Sequence, residues 1–176
     1  MNTMDLRKKI RIIDDFPKKG ISFKDVTPIL KDPKSMKHTT KEITKYLEDK
    51  NIDVIVGPEA RGFLFGILVA QELDLGFVPV RKPGKLPFKT FSVDYALEYG
   101  LDRLEIHSDS IEKGQNVAVV DDLLATGGTV LGVTKLVEKI GGNVSALSFV
   151  IELTNLNGRD KLKGYNVQSL VKYDDL

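Results

Sequence analysis

One stretch of the sequence, VAVVDDLLATGGTV at positions 117–130, restricts the possible folds more than any other. An uninterrupted run of small apolar residues is typical of a strand that is buried on both faces. Residues from about 128 to 140 then have a helical pattern, and we expect this helix to end at Gly141 and Gly142. A buried strand followed at once by a helix is the unit from which parallel α/β sheets are built.

The same alternation continues on both sides of this stretch. The strand of this stretch is predicted at 116–121, and short apolar runs predict further strands at 52–57, 77–80, 144–151 and 167–171. Helical patterns occupy 5–13, 33–50 and 62–73. The sequence therefore predicts an α/β fold in which helices cover both faces of a parallel sheet.

The segment 81–107 interrupts the alternation. It carries two prolines, two glycines and several charged residues, and it has no helical pattern. A non-helical insertion of this length inside a compact domain is typically functional. We expect a β-hairpin, a mobile loop, or both.

Length and charge narrow the class of protein. The chain has 176 residues, which suits one domain. Because 26 basic residues balance 25 acidic ones, we expect neither nucleic acid nor a membrane surface as a partner. There is no cysteine, and His38 and His107 lack a metal-ligand spacing. The N-terminus lacks the apolar segment of a signal peptide, so a soluble cytoplasmic protein is expected.

The paired carboxylates and glycines of the first stretch predict a ligand site. Ligands of parallel α/β sheets bind just beyond the carboxyl ends of the strands, and we expect Asp121 and Asp122 to lie at such an end. Glycines that open a helix let backbone N–H groups approach an anion, and threonine hydroxyls add donors. Carboxylates beside a phosphate suit sugar hydroxyls, so the pattern indicates a ribose 5-phosphate. The alternative is an ordinary turn and helix cap that binds nothing.

The complete string resembles the signature of the type I phosphoribosyltransferases, which bind 5-phosphoribosyl 1-diphosphate (PRPP). Four more segments resemble the adenine-specific members of this family, in the same order: FPKKGISFKDVTPILKDP at 16–33, GPEARGFLFG at 57–66, FVPVRKPGKLP at 77–87 and LEYGLDRLEIH at 97–107. The resemblance extends from about residue 10 to residue 173. It implies a single phosphoribosyltransferase domain over 1–176, whose parallel-sheet core is flanked by helices. A small N-terminal hood over about 1–30 and a flexible β-hairpin loop over about 81–107 complete the implied domain.

The resemblance assigns roles to residues that alone would also suit a solvated surface. It implies a cis non-proline peptide in the turn that carries Arg61, and it makes Arg61 catalytic. It assigns PRPP and AMP binding to Asp121, Asp122, Ala125, Thr126, Gly127, Gly128 and Thr129. It assigns diphosphate binding to Ala60, Arg61, Gly62, Arg81, Lys82 and Lys85.

Base recognition is implied at the hood. Phe23, which could equally be a core aromatic, would cover one face of the purine, and Leu123 would cover the other. Main-chain groups at Ser22 and Lys24 would contact the 6-amino group and N1, so a 6-oxopurine would leave buried polar groups unpaired. Such relatives often have arginine where this chain has Lys24, and a purely main-chain contact would tolerate that change.

The implied reaction joins adenine and PRPP to give AMP and diphosphate, a purine-salvage step. Glu98, by itself an ordinary exposed glutamate, would assist the base near N7, and Tyr99 would position the loop. Mg²⁺ would enter with PRPP, held mainly by substrate oxygens and water instead of by a protein cage. The resemblance also implies a homodimer.

Two alternatives remain open. An enzyme for xanthine or a 6-oxopurine would keep the PRPP residues and change only the hood. A non-catalytic regulator that binds PRPP would usually carry an additional DNA-binding domain, and the chain has no spare length for one.

Overall fold

The computed structural model describes residues 4–97 and 100–174, with the side chains of 96, 97, 100 and 101 left aside. The strands are β1 (Arg11–Ile13), β2 (Phe23–Asp25), β3 (Val54–Pro58), β4 (Gly76–Val80), β5 (Thr90–Leu97), β6 (Gly100–His107), β7 (Asn116–Leu124), β8 (Asn143–Leu153) and β9 (Val167–Tyr173). The α-helices are α1 (Thr27–Lys31), α2 (Pro33–Leu47), α3 (Arg61–Glu72) and α4 (Gly128–Ile140). Short 3-10 turns span Leu6–Lys9, Thr154–Leu156 and Gly158–Leu162.

A five-stranded sheet forms the centre of the molecule, in the order β4-β3-β7-β8-β9. All four of its strand pairs are parallel. This confirms the predicted fold class, because continuous apolar strands separated by helices produced a parallel sheet. Strand β7 lies in the middle of this sheet, and it carries the carboxylates noted in the sequence.

The apolar run of β7 divides the core into two parts, because alternate side chains of a strand point to opposite faces. Val117 and Val119 belong to a cluster that packs under α4 and the β5–β6 hairpin. Ala118 and Val120 belong to a second cluster, which α2 and α3 cover. Helices therefore cover both faces of the sheet, as predicted, and the site is left at one end of its strands.

The interruption at 81–107 contains an antiparallel hairpin, in which β5 pairs with β6 from Thr90 opposite His107 onwards. Leu104 and Ile106 are buried in the cluster under α4. The hairpin alternative is therefore confirmed, whereas its mobility stays a prediction.

The prediction of a helix over residues 5–13 is wrong. Only Leu6–Lys9 forms a 3-10 turn, and the residues after it form β1. Strand β1 pairs with β2 in a separate two-stranded sheet, with Ile12 opposite Lys24. A helix of nine residues is marginal by itself in water, so pairing with β2 prevailed over the local periodicity.

Strand β7 also extends further than expected. Asp121 pairs with Phe149 of β8, and the ladder continues to Leu124 opposite Glu152. Asp121 and Asp122 therefore lie at the carboxyl end of the strand, as predicted, but they are followed by two more strand residues. The long partner strand β8 explains the difference, because its hydrogen bonds outweigh the low strand propensity of aspartate.

Within the described residues, no helix has the length and apolar character that crossing a membrane requires.

Candidate functional site

A cavity of about 250 Å³ opens at the carboxyl end of β3 and β7. Two chain segments form it, namely the turn between β3 and α3 and the turn between β7 and α4. Its walls are formed by Glu59, Ala60, Arg61, Asp121, Asp122, Leu123, Leu124, Ala125, Thr126, Gly127, Gly128, Thr129 and Val130. The structure thus brings together the candidates from positions 60–61 and 121–129.

The turn before α4 is fixed by close backbone packing. Gly127 has a φ of +77°, and a Cβ atom there would lie 2.6 Å from the carbonyl oxygen of Gly158. A Cβ on Gly158 would lie 2.2 Å from the carbonyl oxygen of Ala125. The 3-10 turn at Gly158–Leu162 therefore lies directly against this turn. Because the first N–H groups of a helix lack intrahelical partners, α4 offers donors and a favourable dipole to an anion in the cavity.

An ion pair joins the two walls of the cavity. The Arg61 Nε donates a hydrogen bond to Asp122, whose side chain is buried while that of Arg61 is 45% exposed. Partial burial lowers the pKa of Arg61, but the charges of Asp122 and Asp121 outweigh burial and raise it. A cation of one wall and a carboxylate of the other wall are therefore partners of each other.

Asp121 has a different environment from its neighbour. Its Oδ1 accepts a hydrogen bond from the backbone N–H of Asp122 at 2.8 Å. Burial, followed by the charge of Asp122, raises the pKa of Asp121 well above its ordinary value. The two adjacent carboxyl groups are therefore chemically unequal, since protonation of Asp121 relieves the repulsion between them.

Glu59 contacts all three residues of the candidate cationic segment, a role that the sequence did not predict. Its Oε1 accepts from the backbone N–H of Lys82 at 2.5 Å. Its Oε2 accepts from Lys85 Nζ at 2.9 Å and from Arg81 Nη2 at 3.3 Å. Although burial would raise the pKa of Glu59, these donors lower it. The available sequence signal was its position directly before the Ala60–Arg61 turn, at the end of a buried strand.

The peptide bond between Glu59 and Ala60 is cis, as the resemblance implied for this turn. Gly62 follows at the start of α3. A Cβ atom on Gly62 would lie 2.8 Å from Asp121 Oδ1, so glycine lets the helix approach the aspartate.

The hairpin reaches the cationic segment through Asp102. Lys82 Nζ lies 2.7 Å from Asp102 Oδ2, and the Tyr95 hydroxyl lies 3.1 Å from the same oxygen. Tyr95 is buried, and a Cβ on Gly132 of α4 would lie 3.2 Å from its ring. The cationic segment, the hairpin and the helix after the glycine turn are therefore linked.

The hood lies beside Arg61. The Arg61 guanidinium carbon is 6.0 Å from the centroid of the half-buried Phe23 ring. Phe16 contacts the same ring edge to face, with centroids 5.3 Å apart. Ser22 accepts a hydrogen bond from Lys24 Nζ at 2.8 Å, so the Lys24 side chain is engaged within the hood. Leu123, the other apolar candidate, lines the cavity.

Glu98 and Tyr99 lie outside the described residues. Within 4–97 and 100–174, no group of three or more His, Asp or Glu side chains is arranged to hold a metal ion.

Comparisons with known proteins agree with this geometry. The phosphoribosyl transferase domain model matches residues 25–161. An adenine phosphoribosyltransferase from Methanococcus maripaludis strain C7 is 88% identical over 171 residues, which are 97% of this chain and 99% of the relative. One from Clostridium beijerinckii is 64% identical over the same shares of the two chains. Both relatives are curated proteins.

Solved structures show the same similarity. The crystal structure of adenine phosphoribosyltransferase from Thermoanaerobacter pseudethanolicus is 56% identical, with a TM-score of 0.93 over 96% of this chain and 98% of that chain. The enzyme from Saccharomyces cerevisiae, crystallised with adenine and an imino-altritol bisphosphate, is 42% identical. Its TM-score is 0.90, over 94% of this chain and 96% of that chain.

Proposed function

The chain belongs to the phosphoribosyltransferase family, and we propose that its cavity transfers the 5-phosphoribosyl group of PRPP to adenine, forming AMP and releasing diphosphate. One observation carries this proposal: a rigid glycine turn and two carboxylates form one wall of the cavity, and Arg61 joins it from the other wall. That arrangement provides separate positions for a phosphate, a ribose and a diphosphate. The curated relatives at 88% and 64% identity are named for the same activity.

The 5-phosphate of PRPP would bind the turn formed by Ala125, Thr126, Gly127, Gly128 and Thr129. The packing of Gly127 against Gly158 holds this turn in place before any ligand arrives. Asp121 and Asp122 would then accept hydrogen bonds from the ribose hydroxyls. Burial and the charge of its neighbour raise the pKa of Asp121, so this carboxyl would bind a proton more readily than an ordinary aspartate.

Arg61 would leave Asp122 and bind the diphosphate, together with the backbone at Ala60 and Gly62. Arg81, Lys82 and Lys85 would add positive charge from the neighbouring segment. Cleavage at C1 gives a transition state with oxocarbenium character, in which negative charge develops on the departing diphosphate. Cations placed to meet that charge lower the barrier, which is the catalytic role proposed for Arg61.

Adenine would bind between Phe23 and Leu123, with its edge against main-chain groups of Ser22 and Lys24. A main-chain carbonyl accepts from the 6-amino group, and an N–H donates to N1. A 6-oxopurine presents the opposite pattern and would leave these groups unpaired. Glu98 would assist the base near N7, and Tyr99 would position the loop. The single domain would then consist of the hood (about 1–30), the loop (about 81–107) and the core.

Mg²⁺ would enter with PRPP and be held by diphosphate and ribose oxygens. The donor set of the cavity fits this arrangement, because Asp121 and Asp122 would bind the ribose hydroxyls while the diphosphate would bring its own anionic oxygens. The ion would offset the charge of the diphosphate, and the chain's own cations would orient it.

A soluble, cytoplasmic homodimer is the proposed form of the protein. Leu64 and Ile67 on α3 are 45% and 52% exposed, and their spacing of three residues places them side by side on the helix. Association of two copies would cover these apolar side chains. Light scattering on Ile67→Lys, against an Ile12→Lys control, tests this: the first change should produce monomers and the second should not.

The decisive experiment compares adenine, hypoxanthine, guanine and xanthine with PRPP and Mg²⁺, measuring nucleotide formation. We expect AMP from adenine and at most traces with the other bases. Turnover of an oxopurine would retain the PRPP site but contradict the assignment of the hood. PRPP binding without any turnover would favour the regulator.

A further inference from the structure

The last strand of the sheet ends on Tyr173, which is 2% exposed and outside the cavity described above. We infer that Tyr173 is a positioning residue for base recognition: its ring holds the Lys24 side chain and thereby sets the position of the main chain that contacts adenine. This inference rests on the proposed function. It concerns a residue that does not line the cavity.

Lys24 is the link between the hood and this ring. Lys24 as a whole residue is only 5% exposed, and such burial is rare for lysine. Its Nζ lies 4.9 Å from the centroid of the Tyr173 ring and 2.8 Å from Ser22 Oγ. Because neighbouring side chains of a strand point to opposite faces, Lys24 and Phe23 leave β2 in opposite directions. The main chain between them is thus fixed from the side away from the base.

The position of Tyr173 is itself fixed by its contacts in the sheet. It pairs with Leu153 across the β8–β9 ladder, and its carbonyl oxygen accepts from the Thr154 hydroxyl at 3.0 Å. The Arg7 guanidinium carbon also lies over its ring, 4.4 Å from the centroid, and Arg7 donates to the Lys172 carbonyl. The N-terminal turn, the hood strand and the last strand of the sheet therefore meet at one aromatic ring.

The hood needs such an anchor. Strands β1 and β2 have three residues each and form their own two-stranded sheet, outside the five-stranded one. An isolated two-stranded ribbon is marginally stable in water, so its position depends on contacts with the rest of the molecule. A displacement of about 1 Å in groups that orient a substrate can cost about a hundredfold in rate. Cation–aromatic contacts at this ring would limit that displacement.

The test is steady-state kinetics of Tyr173→Leu, with the Michaelis constants for adenine and PRPP measured separately. We expect KM for adenine to rise about tenfold, the scale of a partly desolvated cation–π contact. KM for PRPP should change by less than about twofold, because the phosphate turn is untouched. The ratio of kcat/KM for adenine over hypoxanthine should fall, which general destabilisation would not produce. Tyr173→Phe keeps the ring and should retain the wild-type values.

Lys24→Met and Lys24→Arg test the other partner without altering the sheet. The methionine variant should raise KM for adenine as Tyr173→Leu does, and the arginine variant should restore it. In the double variant Lys24→Met, Tyr173→Leu the two increases in KM for adenine should be less than additive, since both changes remove the contact between Lys24 and the ring. Tyr46→Leu is the matched control, because Tyr46 also carries a lysine over its ring, Lys50 at 4.2 Å, but lies on α2.

Equal increases in both Michaelis constants, or lower thermal stability with unchanged kinetics, would overturn the inference. If Tyr173→Leu does not fold, Lys24→Met decides, and an unchanged KM for adenine in that variant also overturns it. Wild-type protein that forms no AMP contradicts the proposed function, and the inference falls with it. Active wild type with unaffected variants contradicts the inference alone.

Discussion

Two groups of candidate binding residues, the glycine turn of the cavity and the cationic segment beside it, are built in opposite ways. The glycine turn before α4 is held by backbone against backbone, with Gly127 and Gly158 too close for any side chain. The segment with Arg81, Lys82 and Lys85 is held by ion pairs to side chains, and its lysines are 48–55% exposed. We call the first part preformed, because backbone packing fixes its shape, whereas the second consists of charges whose partners can be exchanged.

The largest effect should come from breaking the preformed part. In Gly158→Ala the new Cβ would lie 2.2 Å from the carbonyl oxygen of Ala125, so the turn must shift. We expect kcat/KM for PRPP to fall about a hundredfold or more, since a misplacement of about 1 Å suffices for that loss. The control is Gly76→Ala, where the nearest atom is Val54 Cγ2 at 3.9 Å. Comparable losses in the two variants would show that the turn is not specifically preformed.

A smaller effect should come from the exchangeable charges. Lys85→Met removes one cation from Glu59 and from the proposed diphosphate site. We expect KM for PRPP to rise about tenfold at low ionic strength and the difference to shrink as salt is added, because exposed charges are screened. Lys89→Met, an exposed lysine on the same segment, serves as control. An increase in KM for PRPP that does not change with salt would show that the position of Lys85 is fixed, like that of the glycine turn.

Stability should respond to Asp121 in a pH-dependent way. Burial, and then the charge of Asp122, raises the pKa of Asp121, so the folded chain binds this proton more tightly than the unfolded chain. The free energy of unfolding therefore falls as pH rises from the ordinary value of an aspartate through the raised one. Asp121→Asn removes this loss, so its stability relative to wild type should increase as pH rises through that range.

Urea unfolding at several pH values measures this difference. The Asn side chain keeps the oxygen that accepts from the Asp122 N–H, so the hydrogen bond at 2.8 Å is retained. Asp109→Asn, at an exposed position, should show no such trend. A difference that stays constant with pH would mean that Asp121 titrates alike in the folded and unfolded chains.

The smallest effect is expected on the outer face of the hairpin. Asp94 and Arg103 form an ion pair at 2.6 Å, with side chains that are 50% and 53% exposed. Exposed pairs contribute little, because water and salt screen them. Asp94→Asn should leave the urea midpoint and the turnover number within replicate scatter. A clear loss of activity would show that exposed ion pairs also orient the cations at Lys82.

Local chemistry explains which elements the sequence predicted well. Helix α4 runs over Gly128–Ile140, as expected, because the glycines at its two ends mark where the helix begins and ends. The hairpin at 81–107 was one of two stated alternatives, since prolines and glycines exclude a helix without choosing between a loop and strands. The carboxylate and glycine positions of the cavity followed from the same short-range pattern.

The remaining features depend on partners distant in sequence. The segment at Leu6–Lys9 does not continue as a helix because the residues after it pair with β2. Strand β7 continues through its aspartates because they pair with the long strand β8. Glu59 gained its role from three donors more than 20 residues away. Tyr173 joins segments from both ends of the chain. No window of the sequence contains these pairs, so periodicity and propensity could not predict them.

The ion pair between Arg61 and Asp122 has a consequence for the end of the reaction cycle. If the diphosphate of PRPP takes Arg61 from Asp122, the same carboxylate competes for Arg61 when diphosphate has become a product. The Arg61 side chain could then return to Asp122 as diphosphate leaves, so its positive charge would not be left without a partner. The contact that opposes entry of the substrate would in this way hasten release of the product, and it would keep each turnover from ending in a tightly held diphosphate.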